Sequence, residues 1–179
     1  MRAFVAIELT NSDLLESIKK IQSNMKIDAR PVRLENIHFT MLFLGEITKD
    51  QVQKVHDVLK TIKFTPFEVN FTGIGAFPKP RFPRVVWIGT DSNSEENLSD
   101  LAKKVEDALS PLGFKSDKPF KPHITIFRIK NKIGDISKDL AKFKDMTFGT
   151  QRISEIKFKK SDLTPEGPIY SDLQVIRAS

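Results

Sequence analysis

Cysteine is absent from the 179 residues. That excludes a disulfide framework, a thiolate nucleophile and a thiolate metal site. It fits a reducing compartment, and we expect a cytoplasmic protein. No apolar run approaches the roughly 20 residues that a membrane span needs. The opening segment, Met1 to Glu8, is too short and too alternating to read as a signal-peptide core. Histidine is scarce, with three residues, and tryptophan and tyrosine occur once each, as Trp87 and Tyr170. Acidic residues are outnumbered, 23 Asp and Glu against 29 Lys and Arg, which leaves a net charge of +6. A mild basic excess attracts anions over long range. A generic lysine-rich surface would give the same total, so the charge matters only where cations cluster. Nothing demands a membrane, a cofactor or more than a monomer.

Two of the three histidines stand in the same short frame, His38-Phe39-Thr40-Met41 and His123-Ile124-Thr125-Ile126. The third, His56, lies among helix-spaced residues and reads as a surface residue. Alternation predicts a strand over 2–8, with Ala3, Val5 and Ile7 on one face. Helical spacing of Leu14, Leu15, Ile18, Ile21 and Met25 predicts a helix over 11–26, capped by Asn11 or Ser12. A strand over 37–44 carries the first motif, and a helix follows over 48–62. Strands are predicted at 66–74 and 84–90. Between them three prolines in residues 77–84 argue against regular structure. A helix at 95–110, a basic loop at 115–121 and a strand at 122–130 with the second motif come next. A short helix near 135–143 and strands near 151–159 and 169–177 complete the pattern. The order repeats, so we expect one α+β domain spanning 1–179. It would be bilobal, with two pseudo-symmetric halves, each an antiparallel sheet with packed helices, around a central cleft.

Residues i and i+2 of a strand share a face. His38 therefore points with Thr40, and His123 with Thr125. Phe39, Met41 and Phe43 fall on the opposite face, expected to be core, as do Ile124 and Ile126. Two imidazoles that titrate near neutrality can divide the roles of acid and base. Two hydroxyls can donate to phosphoryl oxygens as charge builds there. Two histidines without a carboxylate or thiolate at ligand spacing make a poor zinc site, so no metal is expected. By alternation Arg128 faces away from His123 unless the strand bulges or ends first, which leaves it either a solvated residue or one curled over the rim. Tyr170 follows a turn-rich segment and reads as structural or as a lining of the cleft. Basic residues interleaved with aromatics, Lys79, Arg81 and Arg84 with Phe77 and Phe82, and Lys115, Lys118 and Lys121 with Phe114 and Phe120, would suit single-stranded RNA.

Five separated segments together resemble one family: Met1 to Ile7, Glu35 to Glu46, Arg84-Val85-Val86-Trp87-Ile88-Gly89, Pro122 to Arg128, and Ser161 to Tyr170. The chain resembles the two-histidine (2H) phosphoesterases, and within them the archaeal and bacterial RNA 2′,3′-cyclic phosphodiesterases, also called 2′-5′ RNA ligases. The resemblance implies a bilobal fold with both motifs on the floor of a cleft. It implies hydrolysis of a 2′,3′-cyclic phosphate, on RNA, a nucleotide or a tRNA fragment, to a 2′-phosphomonoester. It also raises Arg128 to a phosphate contact. Leu42 departs from the family, which commonly has Lys or Arg there, and alternation places it on the face of His38 and Thr40. We assign His123 as base and His38 as acid, although the pseudo-symmetry permits the reverse. The alternatives are 2′-5′ ligation by the reverse reaction and a non-catalytic RNA-binding module.

Overall fold

Apolar alternation at Ala3, Val5 and Ile7 builds the first strand, β1 (Arg2–Glu8), whose three alternate side chains are almost fully buried. The computed structural model describes residues 1–179. Helix α1 (Ser12–Asn24) buries Leu14, Ile18 and Ile21, and the side chain of Asn11 caps it by accepting from the Leu14 N–H at 2.9 Å. A two-residue strand, β2 (Arg30–Pro31), precedes the first motif strand, β3 (His38–Glu46). Thr48 and Gln51 form a reciprocal capping box at the start of α2 (Lys49–Leu59). Then come β4 (Phe67–Lys79), β5 (Phe82–Thr90), α3 (Ser92–Leu109), β6 (Ile124–Arg128), the short α4 (Ser137–Ala141), β7 (Thr147–Ile153), β8 (Glu155–Thr164) and β9 (Gly167–Arg177).

The strands form two sheets, one of order β3-β1-β8-β9 and the other β2-β6-β5-β4-β7, and every pairing is antiparallel. Each sheet holds one motif, as expected. The two sheets do not correspond to the two halves of the chain, however. The first sheet takes β1 and β3 from the early part and β8 and β9 from the end, and the second takes its strands from between. Helix α3 packs on both β3 and β4, and α1 packs on β6 and β7. Phe39 of β3 stacks on Phe71 of β4 at 5.7 Å between ring centroids, so one continuous core joins the sheets behind the motif strands.

Three expectations need correction. The proline-rich segment 77–84 is a hairpin, in which β4 runs to Lys79 and β5 begins at Phe82. Proline removes a donor but keeps an extended backbone. Pro78 and Pro83 face each other across the hairpin, so the two missing donors fall at a single step of the ladder. The strand expected at 151–159 is the end of β7 and the start of β8, divided at Ser154, where the chain crosses from one sheet to the other. The second motif strand is shorter than 122–130, and His123 stands just before β6. Its N–H donates to the Lys121 carbonyl at 2.8 Å.

Candidate active site

Both motif strands break their alternation at the same place. In β3, Thr40 pairs with Ala6 and Leu42 with Val5, so Met41 is left unpaired. In β6, Thr125 pairs with Trp87 and Phe127 with Val86, so Ile126 is left unpaired. The bulged residue is the fourth of each His-x-Thr-x. A bulge inserts one residue and reverses the facing of all that follow. On β6 it returns Arg128 to the side of Thr125. The carbonyl of the bulged Ile126 accepts from the Val32 N–H at 3.0 Å and from the Gln22 side chain at 2.9 Å, which holds the distortion in place.

The same device overturns two expectations on β3. Leu42 does not share the face of His38 and Thr40; it is turned into the core and is 2% exposed. Phe43, expected in the core, is instead 49% exposed, with the Arg2 guanidinium 4.8 Å from its ring centroid. An apolar residue at 42 therefore removes nothing from the cleft.

Between the sheets lies a cleft of about 400 Å³. The structure brings His38, Thr40, His123, Thr125, Arg128 and Tyr170 to its walls. Arg30, Arg33, Lys121 and Lys130 join them, and Glu166 is the one carboxylate on the lining. Of the basic–aromatic segments, only Lys121 reaches the cleft. Residues Lys79, Arg81 and Arg84 lie in the β4–β5 hairpin outside it. Arg30, Arg33 and Asn36 escaped the sequence reading because nothing in their local pattern distinguishes them. They reach the cleft through the pairing of β2 with β6, Arg30 opposite Arg128. The β8–β9 turn closes over the same wall, as Asn36 donates to the Pro168 carbonyl at 3.1 Å and Arg30 to that of Glu166.

His38 is tightly held. Its Nδ1 lies 2.6 Å from the Asn36 carbonyl, which can only accept, so Nδ1 carries a proton. The other nitrogen, Nε2, faces the Thr40 hydroxyl at 3.1 Å. Phe4 and Tyr170 pack on the ring, with centroids at 5.2 Å and 5.3 Å. Burial holds the His38 pKa below its ordinary value, the Asn36 carbonyl pulls the other way, and the nearby Arg128 charge adds to the lowering. His123 is also held below its ordinary value, by burial and then by Lys121, with Glu95 opposing. Tyr170 is raised by burial, against the pull of Arg128 and Arg2. Both imidazoles thus favour the neutral form in a cleft lined by cations, and an arriving anion would offset that bias.

A family model described as "AKAP7 2′5′ RNA ligase-like domain" matches residues 3–176. A protein of Archaeoglobus fulgidus named RNA 2′,3′-cyclic phosphodiesterase is 40% identical over 177 residues, covering 98% of this chain and 99% of that one. A protein of the same name from Methanothermobacter thermautotrophicus is 33% identical, covering 99% and 98%. Among solved structures, TT0787 of Thermus thermophilus superposes with a TM-score of 0.79 at 25% identity, covering 99% of this chain and 97% of that one. The match runs through both motifs and both sheets, and the chain belongs to the 2′-5′ RNA ligase-like family of 2H phosphoesterases.

Proposed function

We propose that this protein is an RNA 2′,3′-cyclic phosphodiesterase that opens the cyclic phosphate to a 2′-phosphomonoester by paired histidine acid–base catalysis, without a metal. The observation that carries the proposal is the convergence of two imidazoles, two hydroxyls and Arg128 on one cleft. Relatives 40% and 33% identical bear the name of that activity. His38, His123 and Glu166 on the lining are of metal-binding types, but they do not draw together into a group that could hold a metal ion.

In the proposed reaction a water oxygen attacks phosphorus, and the P–O3′ bond breaks. His123 takes the proton from water. His38, charged by uptake of a solvent proton at Nε2 once the phosphate is bound, gives that proton to the departing 3′ oxygen, and exchange with solvent resets both rings. The Asn36 carbonyl suits His38 to the acid role, because that hydrogen bond strengthens when the ring is charged. Bound phosphate would also offset Arg128. His123 has no such acceptor and sits beside Lys121, which favours a neutral ring able to accept a proton. Thr40, Thr125 and Arg128 stabilise charge on the non-bridging oxygens. Tyr170, packed on His38, lines the substrate's place beside it.

The test is turnover of a nucleoside 2′,3′-cyclic phosphate in EDTA. Wild type should be fully active, and His38→Gln and His123→Gln should each lose about 10²–10⁴ in rate. A substrate with sulfur as the 3′ leaving atom needs no acid. It should rescue His38→Gln and not His123→Gln; the opposite pattern would exchange the two roles. Full activity in either variant on the natural substrate would refute the proposal.

A further inference from the structure

The two imidazoles are held by different means. Hydrogen bonds tie down His38, on Asn36 and Thr40. The ring of His123 makes no hydrogen bond; its partner is the indole of Trp87, 4.2 Å away between centroids and within 5° of parallel. Trp87 belongs neither to the buried core nor to the fringe of side chains packed on it. Core packing therefore does not account for the indole.

Trp87 lies in a row that crosses the sheet, with Thr125 beside it on β6 and Gly75 on β4. The indole is laid flat over Gly75. A Cβ at that position would stand 2.2 Å from Cζ2 of the indole, closer than real atoms approach. Every larger residue at 75 would lift the indole from its seat. The sheet is thus shaped to keep an aromatic plane parallel to, and in contact with, the second motif's imidazole.

We propose that Trp87 is the positioning residue of His123. It fixes the plane of an imidazole that has no hydrogen-bond anchor, and Gly75 provides the seat. The role rests on His123 being catalytic, and it explains how a ring without a carbonyl partner keeps a productive angle. Displacement of a reacting group by about 1 Å can cost 10²-fold in rate. The stack acts on aim rather than on phosphate binding, so its loss should appear in kcat more than in KM.

Trp87 is the only tryptophan of the chain, so its emission reports this one contact. A protonated imidazole against an indole quenches its fluorescence. The charges acting on His123 are Lys121 and Glu95, and His38 is the other imidazole of the cleft. Emission of the wild-type protein should therefore fall on acidification as His123 takes up a proton. The titration should survive in His38→Gln and vanish in His123→Gln. With a nucleoside 2′,3′-cyclic phosphate, Trp87→Leu and Gly75→Ala should lower kcat by about 10-fold to 10²-fold. KM should stay within about threefold, because no phosphate-facing side chain is removed. Trp87→Phe keeps a flat face and should recover most of the rate. If Trp87→Leu does not fold, Gly75→Ala, Trp87→Phe and the titration decide. A titration unchanged in His123→Gln, or wild-type kcat in folded Trp87→Leu or Gly75→Ala, overturns the positioning role. An inactive His123→Gln beside a fully active Trp87→Leu overturns that role alone; a fully active His123→Gln overturns the proposed function as well.

Discussion

At the scale of single residues, the two histidines share a spelling but differ in their surroundings. His38 is enclosed by Phe4, Tyr170 and the Asn36 carbonyl, whereas His123 lies on an indole. Both resist protonation in the fold. In the unfolded chain each would take up a proton near pH 6.5. Between that value and the lower folded value, unfolding binds protons. Stability is therefore full above about pH 6.5 and declines as the pH falls below it. Thermal melts from about pH 7.5 to 5.5 should show this decline, and His38→Gln should flatten it. An inorganic phosphate bound between the rings should reduce the decline in wild type. The histidines and threonines were legible because i and i+2 share a strand face. Asn36 was not legible, because its task is performed by a backbone carbonyl that any residue could supply.

At the scale of elements, the paired bulges at Met41 and Ile126 decide which side chains serve the site. Strict alternation misplaces Leu42, Phe43 and Arg128, since a period of two carries no sign of an inserted residue. The prolines of the β4–β5 hairpin misled for a related reason, in that they forbid donors rather than extension. The bulge on β6 depends on Gln22, whose side-chain amide donates to the carbonyls of Val32 and Ile126 at 3.0 Å and 2.9 Å. Gln22→Leu should lower the unfolding free energy in urea by about 1–3 kcal/mol. It should also weaken kcat/KM, by loosening the strand that aims Arg128. Helix α1 reads as an ordinary amphipathic helix, and nothing in its spacing marks Gln22 as a brace.

At the scale of the molecule, the net charge of +6 is given direction by the cleft. Arg30, Arg33, Lys121, Arg128 and Lys130 line it against Glu166 alone. Contacts from these cations to phosphates displace counterions, at about 0.7 per phosphate on a single strand. For an oligonucleotide ending in a cyclic phosphate, KM should rise with NaCl while kcat holds. For a mononucleotide the slope should be shallower, since fewer phosphates are engaged; equal slopes would place the added contacts elsewhere. This clustering was invisible along the chain, because β2 and β6 supply Arg30 and Arg128 from distant segments. Two sheets with one motif each were legible from the order of elements. Their interleaving was not, because antiparallel neighbours can come from anywhere in the sequence.

That interleaving sets an order of events on the ribosome. His38 emerges early, on a strand whose neighbour β1 still has an open edge. The strand that closes the edge, β8, begins only at Glu155, and the ring that packs on His38 is Tyr170 of β9. The second motif has β5 ready beside it when β6 appears. The first histidine to be made is thus the last to be finished. A nascent chain stalled before β8 would carry a formed His123 seat and an unpaired apolar edge at β1, the surface a chaperone would need to cover.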